Sequence, residues 1–198
     1  MADRLTLSCW LRNYHALAMI PQWERLLELF PFSRLSRRSA VFRVYAINYS
    51  EPIVFERAYP PPFDPSNAVD AAREFQHEDC AYQLECAWDL MEQGDEDWKM
   101  APVNVSLWCF GPEFENETTD HLRVEFGLED TFLPQPDDEA SVRASHTNLR
   151  SLMHLVQEIS EKLPVDRKHL WSESGVNFAG KLQAALSEGG SISGFALQ

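Results

Sequence analysis

The stretch His121-Leu-Arg-Val-Glu-Phe-Gly-Leu128 alternates between polar and apolar side chains, and this alternation decides the fold class. A period of two residues is typical of a β-strand that has a core on one face and water on the other. The apolar side of this strand would hold Leu122, Val124, Phe126 and Leu128, and the polar side would hold His121, Arg123 and Glu125. The same alternation recurs at 5–11 and 103–109. We therefore predict a sheet with one apolar and one polar face.

The order of the hydrophobic periods predicts how these strands are connected. From the N-terminus we predict a strand at 5–11, a helix over 15–30, strands at 41–47 and 53–59, a helix over 66–91 and a strand at 103–109. These six segments have the βαββαβ order of a split-βαβ, ferredoxin-like sheet. The strand at 121–128 is an addition to that order. We therefore expect an α+β fold with a mainly antiparallel sheet and helices on one face.

The C-terminal third of the chain is predicted to be helical. An apolar stripe predicts a helix from residue 137 to 163, which Pro164 would end, and a short helix is predicted near 176–186. The length of 198 residues favours one domain. We expect a single α+β domain over 1–190, with a core over 1–130, a C-terminal helical extension over 137–190 and a flexible tail at 191–198.

The charge is large, negative and unevenly distributed. The net charge is −14, with a net +3 over residues 1–60 and a net −17 over 61–198. An acidic chain disfavours nonspecific binding to nucleic acid and to anionic membranes, and it is compatible with a basic protein partner or simply with solubility. Arg34, Arg37 and Arg38 form a local basic exception, which we expect in the loop after the first helix.

Localisation and cofactors are predicted from what the sequence contains. It shows no apolar run of membrane-spanning length and no signal-peptide pattern at Met1, so we expect a cytoplasmic protein. The cysteines, Cys9, Cys80, Cys86 and Cys109, lack the CxxC spacing and are interpreted as buried free thiols. No phosphate loop, dinucleotide fingerprint, nucleophile elbow or zinc-protease motif is found, and we expect no cofactor and no metal.

The polar face of the predicted sheet is the candidate functional surface. Aromatic and arginine side chains, which provide contact area and forked donors, concentrate at binding hot spots. The candidate binding residues are Trp10, Arg12, Arg43, Tyr45, Trp108, His121, Arg123 and Glu125. Arg57 and Tyr59 are also expected on this face. Pairing of 103–110 with 121–128 as a hairpin would place an exposed Arg123 beside Trp108.

The same residues allow other interpretations, which the sequence leaves open. The C-terminal helices or a second copy of the chain could cover the face, and the tryptophans would then be core or interface residues. His121, Arg123 and Glu125 could serve as acid, base and anion clamp in an enzyme, although a solvated strand has the same pattern.

The functional hypothesis is a non-enzymatic cytoplasmic interaction protein that binds a partner or ligand through the aromatic and arginine-bearing sheet face. The alternative is a small-molecule enzyme with a site of His121, Arg123 and Glu125 on that face. We expect a homodimer, a possible basic protein partner, and no binding to nucleic acid or membrane.

Overall fold

The computed structural model describes residues 3–94, 97–133, 139–172, 178 and 180–182. Within them, seven strands form one sheet in which every neighbouring pair is antiparallel. The strands are β1 (Arg4–Leu11), β2 (Ala40–Ala46), β3 (Phe55–Tyr59), β4 (Cys80–Gln93), β5 (Trp98–Phe110), β6 (Leu122–Leu128) and β7 (Val165–Ser172). The α-helices are α1 (Met19–Leu29), α2 (Pro65–Glu74) and α3 (Glu139–Lys162), and short 3-10 turns lie at Ala16–Ala18 and Glu129–Thr131.

The α+β class and the antiparallel sheet are confirmed, but the strand order is not a clear ferredoxin-like arrangement. The order across the sheet is β3-β2-β4-β5-β6-β1-β7. In this order β1 pairs with β6 and β7, which come later in the chain, and not with the strands of the expected βαββαβ unit. The long β4–β5 hairpin therefore lies in the middle of the sheet, and β1 is added beyond β6, on the side of the hairpin away from β2 and β3.

One face of the sheet carries the main core, and all three helices pack on it. Alternate residues of each central strand enter this core, among them Leu5, Leu7, Phe42, Tyr82, Leu84, Leu107, Val124 and Phe126. Helix α1 adds the stripe Ile20, Trp23, Leu26 and Leu27, and α3 adds Leu149, Leu152, Val156 and Ile159. Burial of such side chains is worth roughly 1.5–3 kcal/mol each. Helix α3 thus lies on the same side as α1 and does not cover the opposite face.

The predicted helix over 66–91 is wrong beyond Glu74. Helix α2 is capped by Asp64, whose side chain accepts a hydrogen bond from the Ser66 N–H, and its C-cap is Phe75. From Cys80 the chain is the strand β4 instead. Tyr82, Cys86 and Leu90 are spaced by four residues, which satisfies both a helical stripe and strand alternation. The intervening Leu84 and Trp88 are buried too, and they decide for the strand.

The strand β7 was not predicted. It pairs with β1 along its length, at the edge of the sheet. Its central residues 166–169 are charged or basic and exposed, so no alternation is visible in the sequence. Edge strands are often charged because this discourages pairing with other chains.

The described residues include part of the C-terminal structure that the sequence predicts. Residues 178 and 180–182 are helical, within the short helix predicted at 176–186, whose other residues lie outside the described part. The tail predicted at 191–198 also lies outside it. No helix in the described ranges is long and apolar enough to cross a membrane.

Candidate functional site

The face opposite the helices, here called the open face, carries several of the predicted site residues in one row. The register places Arg43 opposite Gln83, Gln83 opposite Trp108, Trp108 opposite Arg123, and Arg123 opposite Ser8. The predicted hairpin of β5 with β6 and the pairing of Arg123 with Trp108 are therefore confirmed. Glu125 lies one row further along β6 on the same face, opposite Ser106.

One half of the open face is covered by an aromatic cluster. Its rings are stacked, tilted or edge-on with centroids 5.2–6.3 Å apart, and they belong to Tyr45, Tyr49, Trp108, Phe110 and Phe114. Trp108 is only 6% exposed, so the expectation of an exposed Trp108 is wrong. The cover is the β5–β6 loop, which the Glu115 N–H ties to the Ile47 carbonyl at 2.8 Å.

A glycine makes this cover possible. The Gly111 N–H donates to the Cys80 carbonyl at 2.8 Å, and an added Cβ at Gly111 would lie 2.1 Å from the Glu78 carbonyl oxygen. No other residue fits where the loop leaves β5 so close to the backbone. The loop can therefore turn over the open face directly after Phe110.

Arg123 is mostly buried inside this half, with 13% of its side chain exposed, and it holds the loop in place. Its guanidinium contacts the fully buried Asp120 carboxylate at 2.8 and 2.9 Å and the Thr118 hydroxyl at 2.7 Å. It also lies 4.7 Å over the Phe110 ring. Burial alone would lower the pKa of Arg123, but the hydrogen bond and charge of Asp120 outweigh it and raise the pKa. The expectation of an exposed Arg123 is therefore wrong.

His121 does not form a constellation with Arg123 and Glu125. Its Nδ1 accepts a hydrogen bond from the Leu11 N–H at 2.8 Å, and its ring stacks on Tyr14 at 4.1 Å. Burial lowers the pKa of His121, and the charge of Asp120 offsets this only in part. An unprotonated Nδ1 used by the backbone cannot also take a proton from a substrate, so His121 fastens the end of β1.

The remaining predicted site residues lie apart from the aromatic cluster. Trp10 is half-buried, and the Arg167 guanidinium of β7 lies 3.8 Å over its ring. Arg12 is exposed beyond the end of β1. Arg57 and Tyr59 pair with Phe42 and Ala40, which puts them on the helix side and corrects the expectation for both.

The other half of the open face is an open trough of about 890 Å³. Its floor is the middle of β4, β5 and β6, with Glu85, Asn104, Ser106, Glu125 and Gly127. Its rim, on two sides, carries the arginines Arg4, Arg34, Arg37 and Arg38. Gly127 has a φ of +84° at the point where the β1–β6 register shifts, so a β-bulge shapes the floor.

A short loop over residues 33–39, here called the arginine loop, projects three of these arginines. The Asp89 carboxylate of β4 accepts hydrogen bonds from the Ser33 hydroxyl and, at 2.9 Å, from the Arg34 N–H. The Ser33 hydroxyl oxygen in turn accepts from the Leu35 and Ser36 N–H groups at 3.1 and 2.9 Å. The backbone of the loop is thereby fixed, while its arginine side chains project into water.

The rim arginines differ from the other arginines of the open face. Arg4, Arg34, Arg37 and Arg38 are exposed, and none has a side-chain hydrogen bond or ion pair with any residue in the described ranges. Arg43 instead contacts Glu56 and Glu85 at 2.5 and 2.8 Å. Arg34, Arg37 and Arg38 lie in the loop after the first helix, as the sequence predicts, but they were not among the candidate binding residues. Their density in an otherwise acidic chain was the signal that could have identified the site.

No protein-family model, curated protein sequence or solved structure matches the chain.

We predict that Arg123→Ala destabilises the fold, because it leaves the buried Asp120 charge unpaired. The free energy of unfolding should fall by about 3 kcal/mol or more. In the matched control Arg43→Ala, whose partners are half-exposed, it should fall by about 1 kcal/mol or less. Urea unfolding measures both. Removing Asp120 as well should restore part of the loss, and additive losses would contradict a direct pair.

Val124→Asp, on the core side of the same strand, should abolish folding.

We also predict that His121 makes the fold less stable in mild acid. Its pKa in the folded chain lies below 6.5, so the unfolded chain takes up the proton first as the pH falls. His121 therefore contributes its full stabilisation above about pH 6.5, the pKa in the unfolded chain. This contribution is lost as the pH falls from there through the lower pKa of the folded chain. Denaturant midpoints at about pH 7.5 and pH 5.5 should therefore differ less for His121→Gln than for wild type. The exposed-site control His154→Gln should keep the wild-type difference.

Proposed function

We propose that this chain is a cytoplasmic binding protein whose open sheet face takes up a ligand or partner, and that the trough is the binding surface. The observation that carries the proposal is the set of four rim arginines without ionic partners in the described ranges, placed around a polar floor. Carboxylates pair with Arg43, Arg73, Arg123 and Arg143. Arginines that are unpaired within the described residues, such as Arg25 and Arg150, also lie elsewhere on the surface, but at the trough four such arginines line one cavity. The free guanidiniums at the trough are therefore available for an external group.

The alternative of an enzyme with His121, Arg123 and Glu125 receives less support. His121 is engaged by the Leu11 N–H, and Arg123 is engaged by Asp120. General acid–base catalysis needs a group that can reach a substrate proton. These two side chains support the β5–β6 loop and the end of β1 instead, which favours binding over catalysis for this face.

We predict that filling the trough removes its occupant. Asn104 is exposed on the floor, so Asn104→Trp should occupy the volume without disturbing the core. Native mass spectrometry of the chain, purified from its source cells at low salt, should show a bound species that Asn104→Trp loses and His154→Trp, on α3, retains. The proposal is contradicted if the Asn104→Trp variant retains the bound species, or if the wild-type chain carries no bound species.

The occupant could also be a protein, and two expectations about partners remain proposals. A second copy could dock its acidic surface on the rim, and a basic protein could bind the acidic part of the chain that follows Tyr59, whose net charge is −17. Light scattering across micromolar to millimolar concentrations should show a dimer that Asn104→Trp weakens. A pull-down should retain a basic partner at low salt and release it at high salt. A monomer at all concentrations would contradict the proposed dimer. A partner whose retention does not depend on salt would contradict the proposed basic partner.

A further inference from the structure

We propose that the trough binds a phosphate-bearing organic small molecule, with its phosphate at the arginine loop and its hydrogen-bond donors over the floor carboxylates. This inference rests on the proposed function and adds the chemical class of the ligand. It follows from the rim charges, the floor chemistry and the size of the trough.

The rim favours phosphate over a single carboxylate. Arg34, Arg37 and Arg38 lie within five residues on one ordered loop, and the exposed Ser39 hydroxyl adjoins them. A phosphate brings close to two negative charges and three acceptor oxygens, and forked guanidiniums bind such groups with paired hydrogen bonds. One carboxylate would leave most of these donors unused.

The floor carboxylates favour hydrogen-bond donors on the ligand over acceptors. Glu85 and Glu125 are half-buried there, and each has an arginine behind it, with Arg43 at 2.8 Å from Glu85 and Arg123 at 4.0 Å from Glu125. Ionised carboxylates only accept hydrogen bonds, so hydroxyl or amine groups suit this part of the trough. The ligand would therefore be anionic at the rim and neutral or cationic over the floor.

The floor carboxylates also disfavour an acidic peptide or a nucleic acid strand. Either would carry successive anions across the floor, where Glu85 and Glu125 would repel them. Neighbouring strands are about 4.8 Å apart, so the floor from β4 to β6 is roughly 10 Å wide. The volume of about 890 Å³ is within the range of small-molecule sites. A single phosphate confined to the rim avoids the repulsion.

The test is a titration of the full-length ¹⁵N-labelled chain, followed by the amide shifts of Ser36, Asn104 and Gly127. The probes are sodium phosphate, ribose 5-phosphate, ribose and a hexaglutamate peptide, each at constant ionic strength set with sodium chloride. We expect saturable shifts with the two phosphates, tighter binding of ribose 5-phosphate than of inorganic phosphate, and no shift with ribose.

The variants decide whether the arginine loop is responsible. Arg37→Gln with Arg38→Gln should weaken ribose 5-phosphate binding by about tenfold or more, because charge-assisted hydrogen bonds are lost. Arg25→Gln with Arg150→Gln, exposed on α1 and α3, makes the same charge change on the helix side and should leave binding unchanged.

The inference is overturned if neither phosphate shifts the trough, if the Arg37 and Arg38 variants bind like wild type, or if hexaglutamate binds more tightly than ribose 5-phosphate. The last result would identify an acidic peptide as the occupant. If the inference fails while a bound species still depends on Asn104, the trough is the binding surface and only the ligand class is wrong. If no species depends on Asn104, the proposed function itself fails.

Discussion

The buried ion pair between Arg123 and Asp120 determines how the open face is used. The helices that the structure describes pack on one face of the sheet, so the large side chains on the other face need a separate cover. The pair supplies it, because it anchors the β5–β6 loop from within and holds Phe114 and Tyr49 against Trp108 and Phe110. Asp120 has no exposure, and an unpaired charge there would be costly. The loop must therefore stay closed, and this half of the face is structural.

The trough exists because the β5–β6 loop covers the open face as far as the row of Trp108 and leaves the next row, with Ser106 and Glu125, uncovered. Beyond Trp108 the open-face residues of β5 are Ser106 and Asn104, which need no shelter from water. The arginine loop borders this region without crossing it, because Asp89 ties Ser33 and Arg34 to the edge of β4. The bulge at Gly127 removes a side chain from the floor at the far side. A polar floor, a tethered wall and a bulge together leave a space that neither hydrophobic packing nor a loop of the described residues fills.

The sequence predicted the parts of this architecture that depend on local periodicity. Alternation identified β1, β5 and β6, and apolar stripes identified α1 and α3, with Pro164 as the stop of α3. It failed at β4, where Tyr82, Cys86 and Leu90 fit two periods at once, and at β7, whose exposed residues have no apolar alternation. The side of the strand that Arg123 and Trp108 occupy was predicted correctly. The burial of these two side chains was not predicted, because it depends on the β5–β6 loop, whose position is fixed by the Arg123–Asp120 ion pair. An ion pair of this kind leaves no periodic pattern in the sequence.

The paired arginines and the clustered unpaired arginines occupy different parts of the open face. Arg123 and Arg43 have carboxylate partners within 2.8 Å and stabilise their surroundings, whereas the rim arginines have none in the described ranges. Holding like charges together on a fixed loop costs free energy through mutual repulsion, in a chain with 31 acidic residues to 17 basic ones. Carboxylates at the rim would have relieved that repulsion. Because Asp89 engages the loop backbone and leaves the guanidiniums free, the arrangement favours an anion that arrives from outside the chain.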